Sequence, residues 1–276
     1  MADPKTNSTF HPNSKSDQNN TTPKLEKQSI LLHAIFEREW SEVEDILKNA
    51  TQNGKCDIVQ QQDAQRRTPL HAAAYAGDTT IVSLLIDHGA RINHRDFNGM
   101  TALHLACERN NFDIVQLLVQ NRAESNTRDK NWHSPLHIAS AYNSLESAEA
   151  LVNHVTNINI ADRNGQTALH LASKQGHFTI VKLLLDHGAN CQAMDRADRR
   201  PIHLAAADSH YGISNLLLQK GADVHCRDKS LKSCLHSAAA GGCSGVAKLL
   251  IEFGAETDSL DSNSDTPLHI ACLNGK

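Results

Sequence analysis

Thr68-Pro69-Leu70-His71-Ala72-Ala73-Ala74-Tyr75-Ala76-Gly77, continued through Ile81, Val82, Leu84 and Leu85 to His88-Gly89, carries the decisive pattern. Threonine is a good helix N-cap, and proline at the first helical position gives up an amide that would have no partner there anyway. A short helix therefore starts at Pro69 and breaks at Gly77. Ile81, Val82, Leu84 and Leu85 lie at helical spacing and predict a second helix with one apolar stripe. Gly89 supplies a left-handed stop, with His88 near the negative end of the helix dipole. The stretch from Ala90 to Gly99 is expected to turn outward as an extended hairpin into the next unit.

Outward from this unit the pattern returns with a fixed period. His71, His104, His137, His170, His203, His236 and His269 follow one another at a single unvarying interval. Asp63, Asp96, Asp129, Asp162, Asp195, Asp228 and Asp261 keep the same interval, and an alanine follows two positions after each of those histidines. A unit of that length is too small to bury its own apolar face, so neighbours must stack and share one continuous core.

The motifs Asn164-Gly165-Gln166-Thr167-Ala168-Leu169-His170-Leu171-Ala172 and Asp186-His187-Gly188-Ala189 resemble the ankyrin-repeat family over residues 25–276. The resemblance implies a mainly α solenoid of helix–turn–helix units with β-hairpin fingers. Six full repeats are expected: 63–95, 96–128, 129–161, 162–194, 195–227 and 228–260. Residues 25–62 read as an N-terminal capping repeat with an extended loop around Ala50 to Gln62, and 261–276 as a truncated repeat of a longer protein. Residues 1–24, rich in Asn, Ser, Thr and Lys, are expected to be a disordered tail.

A finer resemblance lies in Arg128-Asp129-Lys130-Asn131-Trp132-His133-Ser134-Pro135-Leu136-His137. It is shared by Asp198-Arg199-Arg200 before Pro201-Ile202-His203, and by Leu268-His269-Ile270-Ala271-Cys272 before Asn274-Gly275. The irregular unit Ser147-Ala148-Glu149-Ala150, with Val155-Thr156 in place of Gly-Ala, fits the same group. These stretches are similar to the regulatory ankyrin-repeat subunits of serine/threonine protein phosphatase 6. That likeness implies a scaffold for a phosphatase catalytic subunit that helps select phosphoprotein substrates, with a nuclear pool, while the lack of a signal segment points to the cytoplasm. Ser233-Cys234, where the pattern has Thr-Pro, and the expanded N-terminal loop depart from it. A generic adaptor for membrane or signalling proteins, or the repeat region of a larger enzyme or channel, are the alternatives.

Composition bounds these readings. The 27 Lys+Arg against 31 Asp+Glu give a net charge of −4, which excludes a general nucleic-acid coat. Aromatics are only 4%, so the core must come from Leu, Ile, Val and Ala. No apolar run is long enough to span a membrane, and the start lacks a secretory leader. Seven cysteines without a C-x-x-C pair argue against a disulfide framework and a zinc ribbon, and for a reducing compartment.

No catalytic, cofactor or metal residues are expected. Equivalent histidines one repeat apart cannot share a zinc ion, which needs all its ligands within ~2 Å. They are read instead as bonding their own Thr or Ser and the neighbouring finger. His133 and His137 lack a third ligand. Cys107 and Cys272 occupy a slot of small buried side chains. Gly241-Gly242-Cys243-Ser244-Gly245 lacks the Lys-Ser/Thr of a phosphate loop, and no hydrolase or kinase signature is present.

The variable fingers carry the functional expectation. They hold 12 of the 27 basic residues. Partner-binding candidates are Trp132 with its neighbours Arg128 and Lys130, then Arg163, then Arg196, Arg199, Arg200, Arg227, Lys229 and Lys232. The last six form an expected basic ridge for an acidic or phosphorylated protein.

Overall fold

The computed structural model describes residues 30–52 and 56–276. The chain runs as antiparallel helix pairs: α1 (Ile30–Phe36) with α2 (Trp40–Gln52), α3 (Pro69–Ala76) with α4 (Thr79–Asp87), and α5 (Ala102–Glu108) with α6 (Phe112–Gln120). Next come α7 (Pro135–Ala141) with α8 (Leu145–Val152) and α9 (Ala168–Gln175) with α10 (Phe178–Asp186). Then α11 (Pro201–Ala207) pairs with α12 (Tyr211–Gln219), α13 (Cys234–Gly241) pairs with α14 (Ser244–Glu252), and α15 (Pro267–Leu273) follows. First helices stack on first helices and second on second, with each pair also packed internally. One core runs the length of the stack through Leu70, Leu103, Leu136, Leu169 and Ile202 on the first helices and Ile81, Ile114, Ile180 and Ile213 on the second.

The repeated histidine holds this stack together at two points. At each first-helix start its Nδ1 accepts the N-cap amide, as in Thr68 N–H to His71 at 3.2 Å and Thr101 N–H to His104 at 3.1 Å. This is a capping box with imidazole where glutamate usually stands. Because Nδ1 accepts, Nε2 carries the proton, and in His71, His104, His137, His170 and His236 it donates to a carbonyl of the next unit. Met100 O lies 3.1 Å from His71, Gln166 O 3.2 Å from His137, and Arg199 O 3.1 Å from His170. The repeated aspartate closes the finger. Asp129 Oδ1 accepts the amides of Asn131 at 2.8 Å and His133 at 2.7 Å, and Asp195 and Asp228 repeat the arrangement.

The fingers are tight turns, and the expected β-hairpins do not form ladders. Among the described residues the one bridge is isolated, between Arg227 and Ser233. Each turn uses its few inward donors on itself (Asp96 N–H to Met100 O, 2.9 Å) and sends the next along the stack. Phe97 donates to Gln65 O at 2.8 Å, Lys130 to Asn98 O at 2.7 Å, Arg163 to Asn131 O at 2.9 Å and Arg196 to Asn164 O at 2.8 Å. Backbone bonds thus join finger to finger.

Two other expectations differ in detail. The N-terminal extension includes helical parts: α2 reaches Gln52, and Cys56–Gln60 forms a short 3-10 helix. Cys107 is fully buried, whereas Cys272, in the equivalent slot of α15, is exposed. The tail expected at 1–24 lies outside the described residues.

Candidate protein-interaction surface

The fingers project side chains away from the core, and the structure sorts the basic candidates into two kinds. Arg199 lies on the same finger as Asp195 and pairs with it, Nη2 2.8 Å from Oδ2. Arg67 does the same to Asp63 at 2.6 Å. Arg200 turns inward, its Nη1 3.1 Å from Asp223 Oδ2, and its side chain is only 22% exposed. Arg199 and Arg200 are thus each paired with a local carboxylate, Arg199 while still 43% exposed and Arg200 largely turned away from solvent. Arg227 lies 3.7 Å from Glu256 and bonds Leu260 O at 3.2 Å. Lys229 bonds the carbonyl of Arg196, and Lys232 is half-buried. Arg163 and Arg196 are exposed and form no ion pair among the described residues.

The other kind combines cations with aromatic rings. Arg128 places its guanidinium carbon 5.5 Å from the centre of the Trp132 ring, which is 45% exposed. On the preceding finger Phe97 is 59% exposed, and Lys130 Nζ sits 3.4 Å from the centre of its ring. Trp132 adopts a left-handed backbone with φ +68°, the conformation its counterparts Gly99 and Gly165 also take. The sequence reading missed Phe97. Its signal is an aromatic in the slot that other fingers give to Lys130, Arg163, Arg196 and Lys229.

His133 links two fingers beneath this strip. Its Nδ1 is 3.2 Å from Asp129 Oδ2, and its Nε2 is 3.4 Å from Asp162 Oδ2, a charge contact rather than an aligned hydrogen bond. Burial pushes its pKa down, but the bond to Asp129 and the charges of Asp129 and Asp162 together hold it above the usual histidine value. A groove between the fingers and the first helices runs past Met100, His133, Tyr142, Leu171 and Gln175. The arrangement offers flat rings, fixed cations and a groove, which are the materials of protein recognition.

A family model described as ankyrin repeats (3 copies) matches residues 31–129, 136–228 and 202–276. The chain belongs to the ankyrin-repeat family. A similar solved structure is the ankyrin repeat domain of Bcl-3, described as a unique member of the IkappaB protein family. It is 30% identical, with a TM-score of 0.66, over 74% of this chain and 94% of that one. The ankyrin repeats make this a protein–protein interaction scaffold. Among the described residues, no helix is long and apolar enough to cross a membrane.

Proposed function

We propose that this scaffold acts without catalysis as a regulatory subunit of a phosphatase 6 type serine/threonine phosphatase, and that its fingers hold an acidic or phosphorylated protein segment. The observation that carries the docking part is the strip Phe97–Lys130 and Arg128–Trp132, beside the exposed cations Arg163 and Arg196. Charged and aromatic groups that are already stacked lose little side-chain freedom on binding, and arginine suits paired contacts with carboxylate or phosphate oxygens. The phosphatase part is supported by the sequence likeness around Arg128–His137 and Asp198–His203. The site of action in this reading is the cytoplasm, with a nuclear pool.

The test uses the full chain. Lys130→Glu, Arg163→Glu and Arg196→Glu together are expected to leave helical content intact and to weaken binding of an acidic or phosphorylated partner at least tenfold. Wild-type binding should also weaken as salt rises, because exposed charges are screened beyond ~8 Å. Unchanged affinity in a folded triple variant overturns the docking surface. Failure to recover a phosphatase catalytic subunit with the full chain overturns the phosphatase reading and leaves the docking surface standing.

A further inference from the structure

Three departures from the repeat pattern meet at one buried point. Arg200 stands where other first helices have Thr or Ser as N-cap, Cys234 stands where Pro69, Pro135, Pro201 and Pro267 open theirs, and Cys226 fills the slot that Ala193 holds one repeat earlier. In the folded chain Cys226 Sγ lies 3.3 Å from Cys234 Sγ. The isolated bridge between Arg227 and Ser233 creates this contact, since their outer neighbours Cys226 and Cys234 become the next opposed pair. His203 closes the third side. Unlike His71, His104, His137, His170 and His236, it makes no bond to a carbonyl of the next unit among the described residues. Its ring faces Cys226 Sγ instead, 3.8 Å from Nδ1 and 3.9 Å from Nε2. All three residues are buried.

Two cysteines and a histidine this close invite a metal reading, and the hydrogen bonding argues against it. Arg200 N–H donates to His203 Nδ1 at 3.1 Å, so that lone pair is occupied and Nε2 carries the proton. A metal at Nε2 would need the other tautomer and would set two N–H groups against each other. The same arrangement suits a thiolate.

We propose that Cys226 and Cys234 form a redox-active dithiol, which a small hydroperoxide closes to a disulfide across the base of the finger at Arg227–Ser233. The Cys234 thiol donating to Cys226, with His203 and Arg200 beside it, outweighs burial and holds the Cys226 pKa below the ordinary thiol range. The same bond, together with burial, pushes Cys234 up. Cys226 is therefore the attacking sulfur and Cys234 the resolving one. The Cys226 thiolate attacks one peroxide oxygen: an S–O bond forms, the O–O bond breaks, and the departing hydroxide (alkoxide from an alkyl hydroperoxide) takes up the proton that the Cys226 thiol had released, leaving as water (or alcohol). Cys234 then attacks the sulfenic sulfur. The S–S bond forms, the S–O bond breaks, and the leaving hydroxide takes the Cys234 proton and departs as water. Two thiols are oxidised and one peroxide is reduced. The sulfurs must close by only about 1 Å. In a reducing compartment such a bond is a reversible signal and not a structural staple.

The full chain treated with hydrogen peroxide, then denatured, alkylated and digested, should yield a peptide joining Cys226 to Cys234 that a dithiol reductant releases. Two variants borrow residues that other repeats hold at these slots, so each is compatible with the fold. Cys234→Pro removes the thiol donor as well as the resolving sulfur, so Cys226 should oxidise more slowly than in the wild type and stop at a sulfenic acid that a cyclic dione traps. Cys226→Ala should slow oxidation of Cys234 at least tenfold. The proposal is overturned if both thiols stay free while exposed Cys272 is oxidised, or if Cys234 oxidises equally fast in Cys226→Ala. A stoichiometric zinc ion that protects both thiols also overturns it.

Discussion

Trp132 holds a left-handed backbone, φ +68°, that its counterparts Gly99 and Gly165 adopt without a side chain to strain. For a non-glycine residue that conformation costs about 1–2 kcal/mol. The stack of Arg128 on the exposed ring returns about 0.5–1 kcal/mol. Trp132→Gly should therefore leave the unfolding free energy within about 1 kcal/mol of wild type. Partner affinity should fall at least tenfold, since truncating an interface anchor often costs about 2 kcal/mol of binding or more. Chemical denaturation beside a binding titration checks this, and a variant that loses stability while keeping its affinity contradicts it. Trp132 was legible in the sequence because a large ring occupies a glycine slot. The pairing of Arg199 with Asp195 was legible in principle, since Asp63 and Arg67 repeat the same spacing, but counting cations alone hides it. The contact between Cys226 and Cys234 was not, because it depends on a bridge that no neighbouring finger forms.

Among the helices, local signals sufficed wherever capping and stop residues are explicit. Thr68 with Pro69 opens α3, and Gly77 at φ +89° closes it. The fingers depart from the expected hairpin form, since their shape is settled by bonds to the adjacent finger, a whole repeat away along the chain. The segment around Ala50 to Gln62 lacks the repeat pattern, so its helical parts left no periodic signal to read. α15 is the exception to the packing rule. Leu268 and Leu273 are 72% and 74% exposed, whereas Leu169 of α9 is 1% exposed. Hydrogen exchange on this chain should find the amides of α15 the least protected among the first helices α3 to α15. Protection of α15 equal to that of α9 would show that its exposed leucines do not govern its stability.

Across the whole molecule the buried histidines set the response to acid. Burial lowers His71, His104 and His137 from 6.5 to about 4, against the raising effect of a backbone carbonyl bond on each, and lowers His170 in the same direction. These groups stay neutral in the fold while the unfolded chain takes up protons below 6.5. Their effect is therefore a loss of stability as pH falls from 6.5 toward 4, and none above 6.5. His133 acts oppositely: its raised pKa gives stability that is complete below 6.5 and disappears as pH rises through the folded value. The urea midpoint should drop steadily as pH falls from 6.5 toward 4. A flat midpoint over the acidic interval would refute the assignment.

The finger-to-finger backbone bonds also govern how the solenoid can deform. An amide bonded to the preceding finger at 2.7–3.0 Å cannot stretch without breaking, from Phe97 to Ser262. The second helices, by contrast, meet their neighbours through side chains, which can slide. Flexing must therefore fan out the helical edge while the finger edge keeps its length, as a book opens about its spine. A partner that grips the fingers meets a ruler whose marks do not move, one mark per repeat. Charges on that partner will be read by their spacing as much as by their number.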